Sequence, residues 1–144
     1  MQHLHKIQDL AGMRLMAKEI VLLLANYPIV LLKGDLGAGK TTLAQMICEI
    51  LGVKESVTSP TYTLVNEYVL ADKSIFHFDL YRLKNSEELE GIGFAEYIDS
   101  GNICLIEWPE MAENYFKGMP TLTVSITSNG VERELVIQQQ SITA

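Results

Sequence analysis

Four consecutive apolar residues, Ile29-Val30-Leu31-Leu32, run almost directly into Gly34-Asp35-Leu36-Gly37-Ala38-Gly39-Lys40-Thr41. No other stretch restricts the fold as much. The apolar run reads as a short strand buried on both faces, as in a parallel sheet. A helical pattern follows from about Lys40 to Leu51 and stops at Gly52, a residue suited to the left-handed turn that ends helices. The chain between them matches G-x4-G-K-[ST] in full. Glycines there allow backbone angles that a Cβ blocks, so successive N–H groups converge into an anion nest. The positive end of the helix lies beneath it. Gly34, Asp35, Leu36, Gly37, Ala38 and Gly39 thus form a phosphate cradle. In this motif Lys40 reaches the β- and γ-phosphates and the Thr41 hydroxyl coordinates Mg²⁺. Thr42 is placed to bond an α-phosphate oxygen. A chance glycine-rich turn would lack the strand before it and the helix after it. The expected ligand is a nucleoside triphosphate, ATP with Mg²⁺.

The rest of the chain fits an α/β domain. Asp9 caps a predicted helix to about Ala25, with Leu10, Met13, Ala17, Ile20, Val21 and Leu24 at helical spacing. The stretch from Thr61 to Leu70 mixes aromatic and β-branched residues and predicts a strand. Asp72-Lys73-Ser74 makes a turn into a second strand, Ile75 to Phe78, as a hairpin. Asn85 with Glu88 resembles a capping box before a helical segment from about Glu87 to Ile98, interrupted near Gly91 and Gly93. Ile103 to Ile106 is another wholly apolar strand. Leu122, Val124 and Ile126 alternate with polar residues, Asn129-Gly130 is a strong hairpin turn, and Leu135 and Ile137 alternate on the return. The expected architecture is one P-loop NTPase-type domain over residues 1–144: a mixed β-sheet flanked by helices, closed by a C-terminal antiparallel hairpin.

Composition narrows the function. A net charge of -7, with 11 Lys plus Arg scattered along the chain, argues against unassisted binding of a polyanion. Cys48 and Cys104 form no metal-ligand cluster and read as small core residues in a reducing compartment. The longest apolar stretch, Ile20 to Leu32, is broken by Asn26 and Pro28 and falls short of the ~20 residues of a membrane helix. The N-terminus does not read as a signal peptide. A cytoplasmic protein is expected.

A P-loop enzyme needs a carboxylate at the end of a neighbouring strand, to serve Mg²⁺ or to orient the attacking water. Two apolar runs end in a single acid: Ile75-Phe76-His77-Phe78 in Asp79, and Ile103-Cys104-Leu105-Ile106 in Glu107. Either acid alone also fits a strand simply meeting solvent. Beside a complete phosphate loop, both become catalytic candidates together with Lys40. Thr58-Ser59-Pro60-Thr61-Tyr62 offers three hydroxyls in four residues, fit either for a switch loop or for a polar turn before a strand. His77 reads as a hydrogen-bonded sheet histidine rather than a ligand. Arg82 suits an ion pair or a partner. Glu87, Glu88 and Glu90 read as a solvated helix face.

Four blocks, GDLGAGKTTLAQ, TSPTYTLVNEY, FHFDLYRL and IEWPE, resemble in order and spacing the TsaE (YjeE) family over about residues 29 to 110. Members are small bacterial ATPases of tRNA threonylcarbamoyladenosine synthesis. The resemblance implies Mg²⁺-dependent ATP hydrolysis, which resets a complex of the partner proteins TsaB and TsaD; tRNA is met only indirectly. It implies Thr41 and Glu107 as Mg²⁺ ligands, Asp79 as an acid needed for hydrolysis, and Trp108 as a tryptophan beside the nucleotide or partner. It also implies TSPTY as a switch-like loop. An adenine-contacting segment falls near Lys6 to Leu10, without the threonine frequent in the family. The arginine of the family's C-terminal hairpin is carried to Arg133 as a nucleotide contact, although Val131 follows Gly130 here.

The leading expectation is therefore an accessory ATPase. Arg14, Arg82 and Arg133 are the only arginines, and none has an evident finger position. Hydrolysis is expected to be slow alone and faster with partners. A small-molecule kinase and a nucleotide-sensing module without turnover are the alternatives. A GTPase is disfavoured by the lack of N-K-x-D.

Overall fold

The computed structural model describes residues 2–60, 63–130 and 132–141. The elements in chain order are β1 (Gln2–Ile7), α1 (Leu10–Leu23), β2 (Ile29–Lys33), α2 (Lys40–Leu51), β3 (Val65–Val69) and β4 (Ser74–Asp79). They continue with α3 (Glu87–Gly91), α4 (Phe94–Ile98), β5 (Ile103–Glu107), a 3₁₀ segment (Pro109–Phe116), β6 (Thr121–Ser128) and β7 (Arg133–Gln140). The strands form a mixed sheet in the order β1-β7-β6-β2-β5-β4-β3. β2 runs parallel to both β5 and β6, and β4 runs parallel to β5. The β3–β4 and β6–β7 pairs are the two expected antiparallel hairpins.

Because β2, β4 and β5 are parallel, their carboxyl ends share one edge of the sheet. The register sets Leu32 opposite Glu107 and Glu107 opposite Asp79. The phosphate loop leaves β2 at the same edge. This is where ligand sites form in parallel α/β sheets.

Side-chain alternation sends the strands to two cores. Val30, Leu32, Ile75, Leu105, Leu122 and Val124 pack with Met13, Ile20, Leu43 and Ile47 of α1 and α2. Ile29, Phe76, Phe78, Cys104 and Ile106 pack with Leu89, Phe94 and Phe116 on the opposite face. Each fully buried Leu, Ile or Phe contributes about 1.5–3 kcal/mol. Aromatic rings pack edge-on in the second core, with Phe78 and Phe94 centroids 5.0 Å apart at 77°, the arrangement the ring quadrupoles favour. Both cysteines are buried, as expected, and burial pushes each thiol up to about 12.

The element pattern read from the sequence holds, with local corrections. Asp9 caps α1 through a bond from the Gly12 N–H at 2.8 Å, but the helix ends at Leu23 rather than near Ala25. The strand expected from Thr61 begins only at Val65, because Thr63 and Leu64 turn and Leu64 has φ of 71°. Only half of the Asn85–Glu88 box forms: the Glu88 N–H donates to Asn85 Oδ1 at 3.3 Å, but the Glu88 carboxylate accepts from the Lys84 N–H at 2.8 Å rather than from Asn85, and α3 starts after Ser86. Glu87, Glu88 and Glu90 are exposed, as a solvated face requires. Two elements went unread, β1 and the 3₁₀ segment. Among the described residues, no helix is long and apolar enough to cross a membrane.

Candidate nucleotide site

The loop between β2 and α2 depends on two glycines with positive φ. A Cβ on Gly34, at φ of 153°, would stand 2.6 Å from the Ile126 carbonyl oxygen on β6. Gly39, at φ of 116°, leads into α2; a Cβ there would stand 3.2 Å from the Met13 methyl and 3.6 Å from Arg133 Nε. A side chain at either position would push on β6 or close the gap to α1 and Arg133.

Lys40, at the first turn of α2, is 4 % exposed. Its ammonium donates back to the carbonyls of Gly34 and of Asp35, the latter at 3.0 Å. It also lies 4.2 Å from the centroid of the Trp108 ring, a cation–π distance. Burial lowers the Lys40 pKa below its ordinary value, only partly offset by the negative charges of Glu107, Asp79, Glu110 and Asp35. An anion in the cradle would restore the charged form.

At the sheet edge, Thr41 Oγ1 donates to both oxygens of Glu107, at 2.8 and 3.1 Å. Glu107 is 2 % exposed and Asp79 is 6 % exposed. Asp79 accepts from the Tyr81 N–H at 3.0 Å, which fixes the turn after β4. Trp108 takes the left-handed φ of 57° immediately after Glu107, and its ring lies 4.8 Å from that of Tyr81.

These groups line one cavity of about 260 Å³ with Leu36, Gly37, Gly39, Thr42, Ser59 and Arg133. The structure thus joins Lys40, Thr41, Asp79, Glu107, Trp108 and Arg133, which stand as far apart in sequence as 40 and 133. Gly34, Asp35 and Ala38 build the loop without lining the cavity, and Asp35 contributes the carbonyl that receives Lys40. Of the TSPTY block, Ser59 reaches the cavity, Thr58 is exposed outside it and Pro60 is buried; Thr61 and Tyr62 lie outside the described residues. None of Lys6 to Leu10 lines it. Arg82 is exposed.

Arg133 Nε is buried without a hydrogen-bond partner among the described residues. His77, wholly buried, bonds through Nε2 to Glu107 Oε2 at 2.6 Å, while its Nδ1 has no such partner. It is therefore not the fully hydrogen-bonded sheet histidine expected. Its spacing two residues before Asp79 on one strand face was the available signal.

The cavity suits the phosphates of a nucleotide with a hard divalent cation. Loop N–H groups, Lys40 and the unpartnered Arg133 Nε favour an anion. A hydroxyl and carboxylates supply the oxygen donors that Mg²⁺ takes beside phosphate oxygens. No group of three or more His, Cys, Asp or Glu gathers to hold a metal among the described residues.

Fold and site together define an α/β protein of the P-loop type, a fold consistent with nucleotide binding. Residues 7–135 match the family model described as "Threonylcarbamoyl adenosine biosynthesis protein TsaE", and the chain belongs to the TsaE family. A Haemophilus influenzae tRNA threonylcarbamoyladenosine biosynthesis protein TsaE is 54% identical over 85 residues, covering 59% of this chain and 54% of that protein. A Rickettsia conorii protein of the same name is 39% identical over 112 residues, covering 77% of this chain and 63% of its own. The chain thus spans somewhat over half the length of these curated relatives. The crystal structure of Bacillus subtilis YdiB superposes with a TM-score of 0.75 at 26% identity, covering 99% of this chain and 87% of that one.

Proposed function

We propose that this chain is a Mg²⁺-dependent ATPase that works as an accessory subunit of a tRNA threonylcarbamoyladenosine assembly, where hydrolysis resets a TsaB–TsaD complex. The observation that carries the reading is the convergence of Lys40, Thr41, Asp79 and Glu107 on one cavity of about 260 Å³ at the carboxyl edge of the sheet. Family membership carries the biological setting.

Loop N–H groups and Lys40 would hold the β- and γ-phosphates. As the γ-phosphoryl transfers to water, charge spreads over its oxygens, and these donors neutralise it without reorganising. Arg133 Nε, buried and unpartnered, adds a further donor beside Gly39. Thr41 and Glu107 would hold Mg²⁺, which when bound supplies Lewis-acid stabilisation of the phosphate oxygens. Asp79, held in place by the Tyr81 N–H, would orient the attacking water. Trp108 covers the lysine and makes the site sensitive to whatever lies against its exposed side. Ser59 brings the TSPTY loop to the cavity.

Phosphate release is measured with the chain alone and with TsaB and TsaD. Hydrolysis should be slow alone and clearly faster in the mixture, and Asp79→Asn should lose about 10²-fold or more. Equal rates with and without partners would sink the assembly role. Unchanged hydrolysis in Asp79→Asn would sink the assignment of that acid.

A further inference from the structure

His77 is a polar ring in the middle of β4, 0 % exposed, flanked in sequence by Phe76 and Phe78. Nothing in the packing of that strand calls for a polar group. Its Nδ1 is buried without a partner among the described residues, and an unsatisfied buried polar atom costs about 1–3 kcal/mol. Stability alone would favour an aliphatic side chain there. What the ring does make is a single short bond, from Nε2 to Glu107 Oε2 at 2.6 Å.

The register explains why that bond points where it does. His77 lies opposite Leu105 and Asp79 opposite Glu107 on parallel strands, so His77, Asp79 and Glu107 share the face covered by α2, with His77 one side-chain step behind the acids. A carboxylate only accepts, so Nε2 is the donor of this bond. Glu107 therefore has two donors of different kinds. Thr41 approaches from α2, on the cavity side, and touches both oxygens. His77 approaches from within the sheet and holds Oε2 alone. The threonine hydroxyl can turn away to a new partner; the histidine, packed inside a strand, cannot.

We propose that His77 is a positioning residue: it holds Glu107 through Oε2 so that Oε1 keeps its place toward the cavity when Thr41 exchanges its bond to the carboxylate for a cation. Loss of a group that orients a metal ligand from behind typically costs about 10- to 100-fold in metal affinity. The inference rests on the reading of Glu107 and Thr41 as the cation's side chains.

Two variants test it. His77→Leu removes the donor and keeps an apolar strand; His77→Gln keeps an amide N–H at about the reach of Nε2. Circular dichroism and urea unfolding first establish that each folds. ADP affinity is then measured by calorimetry in EDTA, and Mn²⁺ affinity of the ADP complex by electron paramagnetic resonance. His77→Leu should leave ADP binding in EDTA within about twofold of the parent, weaken Mn²⁺ about tenfold or more, and be largely rescued by His77→Gln. Parent-like Mn²⁺ affinity in His77→Leu overturns the proposal, as does equal weakening with and without metal, which marks a merely structural residue. Should His77→Leu fail to fold, failure of a folded His77→Gln to bind Mn²⁺ better than Glu107→Ala overturns it, and parent-like binding supports it. A parent that binds ADP but gains nothing from Mn²⁺ defeats the reading of the cation site itself, and the role of His77 with it.

Discussion

Lys40 shows how a single residue is held in a costly state. It is nearly fully buried, its pKa is lowered first by desolvation, and the nearby carboxylates restore only part of the difference. The sign of the linkage follows. Between the lowered folded value and the ordinary 10.5 of the unfolded chain, the unfolded state binds the extra proton, so stability rises with pH across that window. Below it the charged ammonium is carried at a cost. Comparing Lys40→Met with the parent by urea unfolding across the alkaline range isolates this term from the other titrating groups. The parent should gain stability relative to Lys40→Met as pH rises toward 10.5. A difference that stays flat with pH would show that desolvation does not dominate at Lys40. A bound phosphate should flatten or reverse the slope, because it favours the charged form.

Among the elements, β3 does more than end the sheet. Tyr68, buried on it, accepts from the Thr58 N–H at 3.3 Å, and Asn66 donates to the Thr58 carbonyl at 3.3 Å. Gln45 of α2 adds a bond to the Val57 carbonyl at 2.8 Å. The segment before Ser59 is thus fastened at successive residues to the edge strand and to the helix that carries Thr41. Removing one such bond costs about 1 kcal/mol. Asn66→Ala combined with Gln45→Ala should therefore lower global stability by no more than about 1–2 kcal/mol, and speed amide exchange around residues 57–59 by about 5- to 30-fold. Exchange unchanged there would show that the segment is held by other contacts. None of these anchors was legible from the sequence, since they join α2 and β3 to a loop whose path only the tertiary fold sets. What was legible is what local chemistry dictates: the loop from its glycines, α1 from Asp9 and its apolar spacing, and β4 and β5 from apolar runs ended by acids. β1 escaped because, from His3 on, Ile7 alone is buried while Leu4 is 59 % exposed. Its pairing with β7 is decided by a strand at the far end of the chain. The start of β3 was misjudged because strand-forming residues precede a left-handed Leu64. The partner of His77 was not foreseen because Glu107 is on another strand.

At the scale of the whole molecule, the site is an extension of the sheet's centre. β2 lies between β5 and β6, the phosphate loop hangs from its end, and the 0 % exposed Leu32 packs into the α1–α2 core immediately before it. Stability and binding should consequently be linked through one strand. Leu32→Ala removes buried methyl groups and leaves a cavity beneath the loop, an expected loss of about 2–5 kcal/mol. Leu22, 81 % exposed on α1, should tolerate the same change within about 0.5 kcal/mol. A ligand that binds only the folded form adds about 4 kcal/mol at a thousandfold excess over its Kd, comparable with the loss at Leu32. Thermal unfolding of Leu32→Ala should therefore be strongly ligand-dependent, with saturating ATP and Mg²⁺ returning the midpoint most of the way to that of the unliganded parent. Leu22→Ala should follow the parent with and without nucleotide. If Leu32→Ala is destabilised but shows no nucleotide-dependent rise while the parent does, the cradle has lost its shape along with the core behind it. If the parent itself shows no rise, nucleotide binding at this edge of the sheet is refuted.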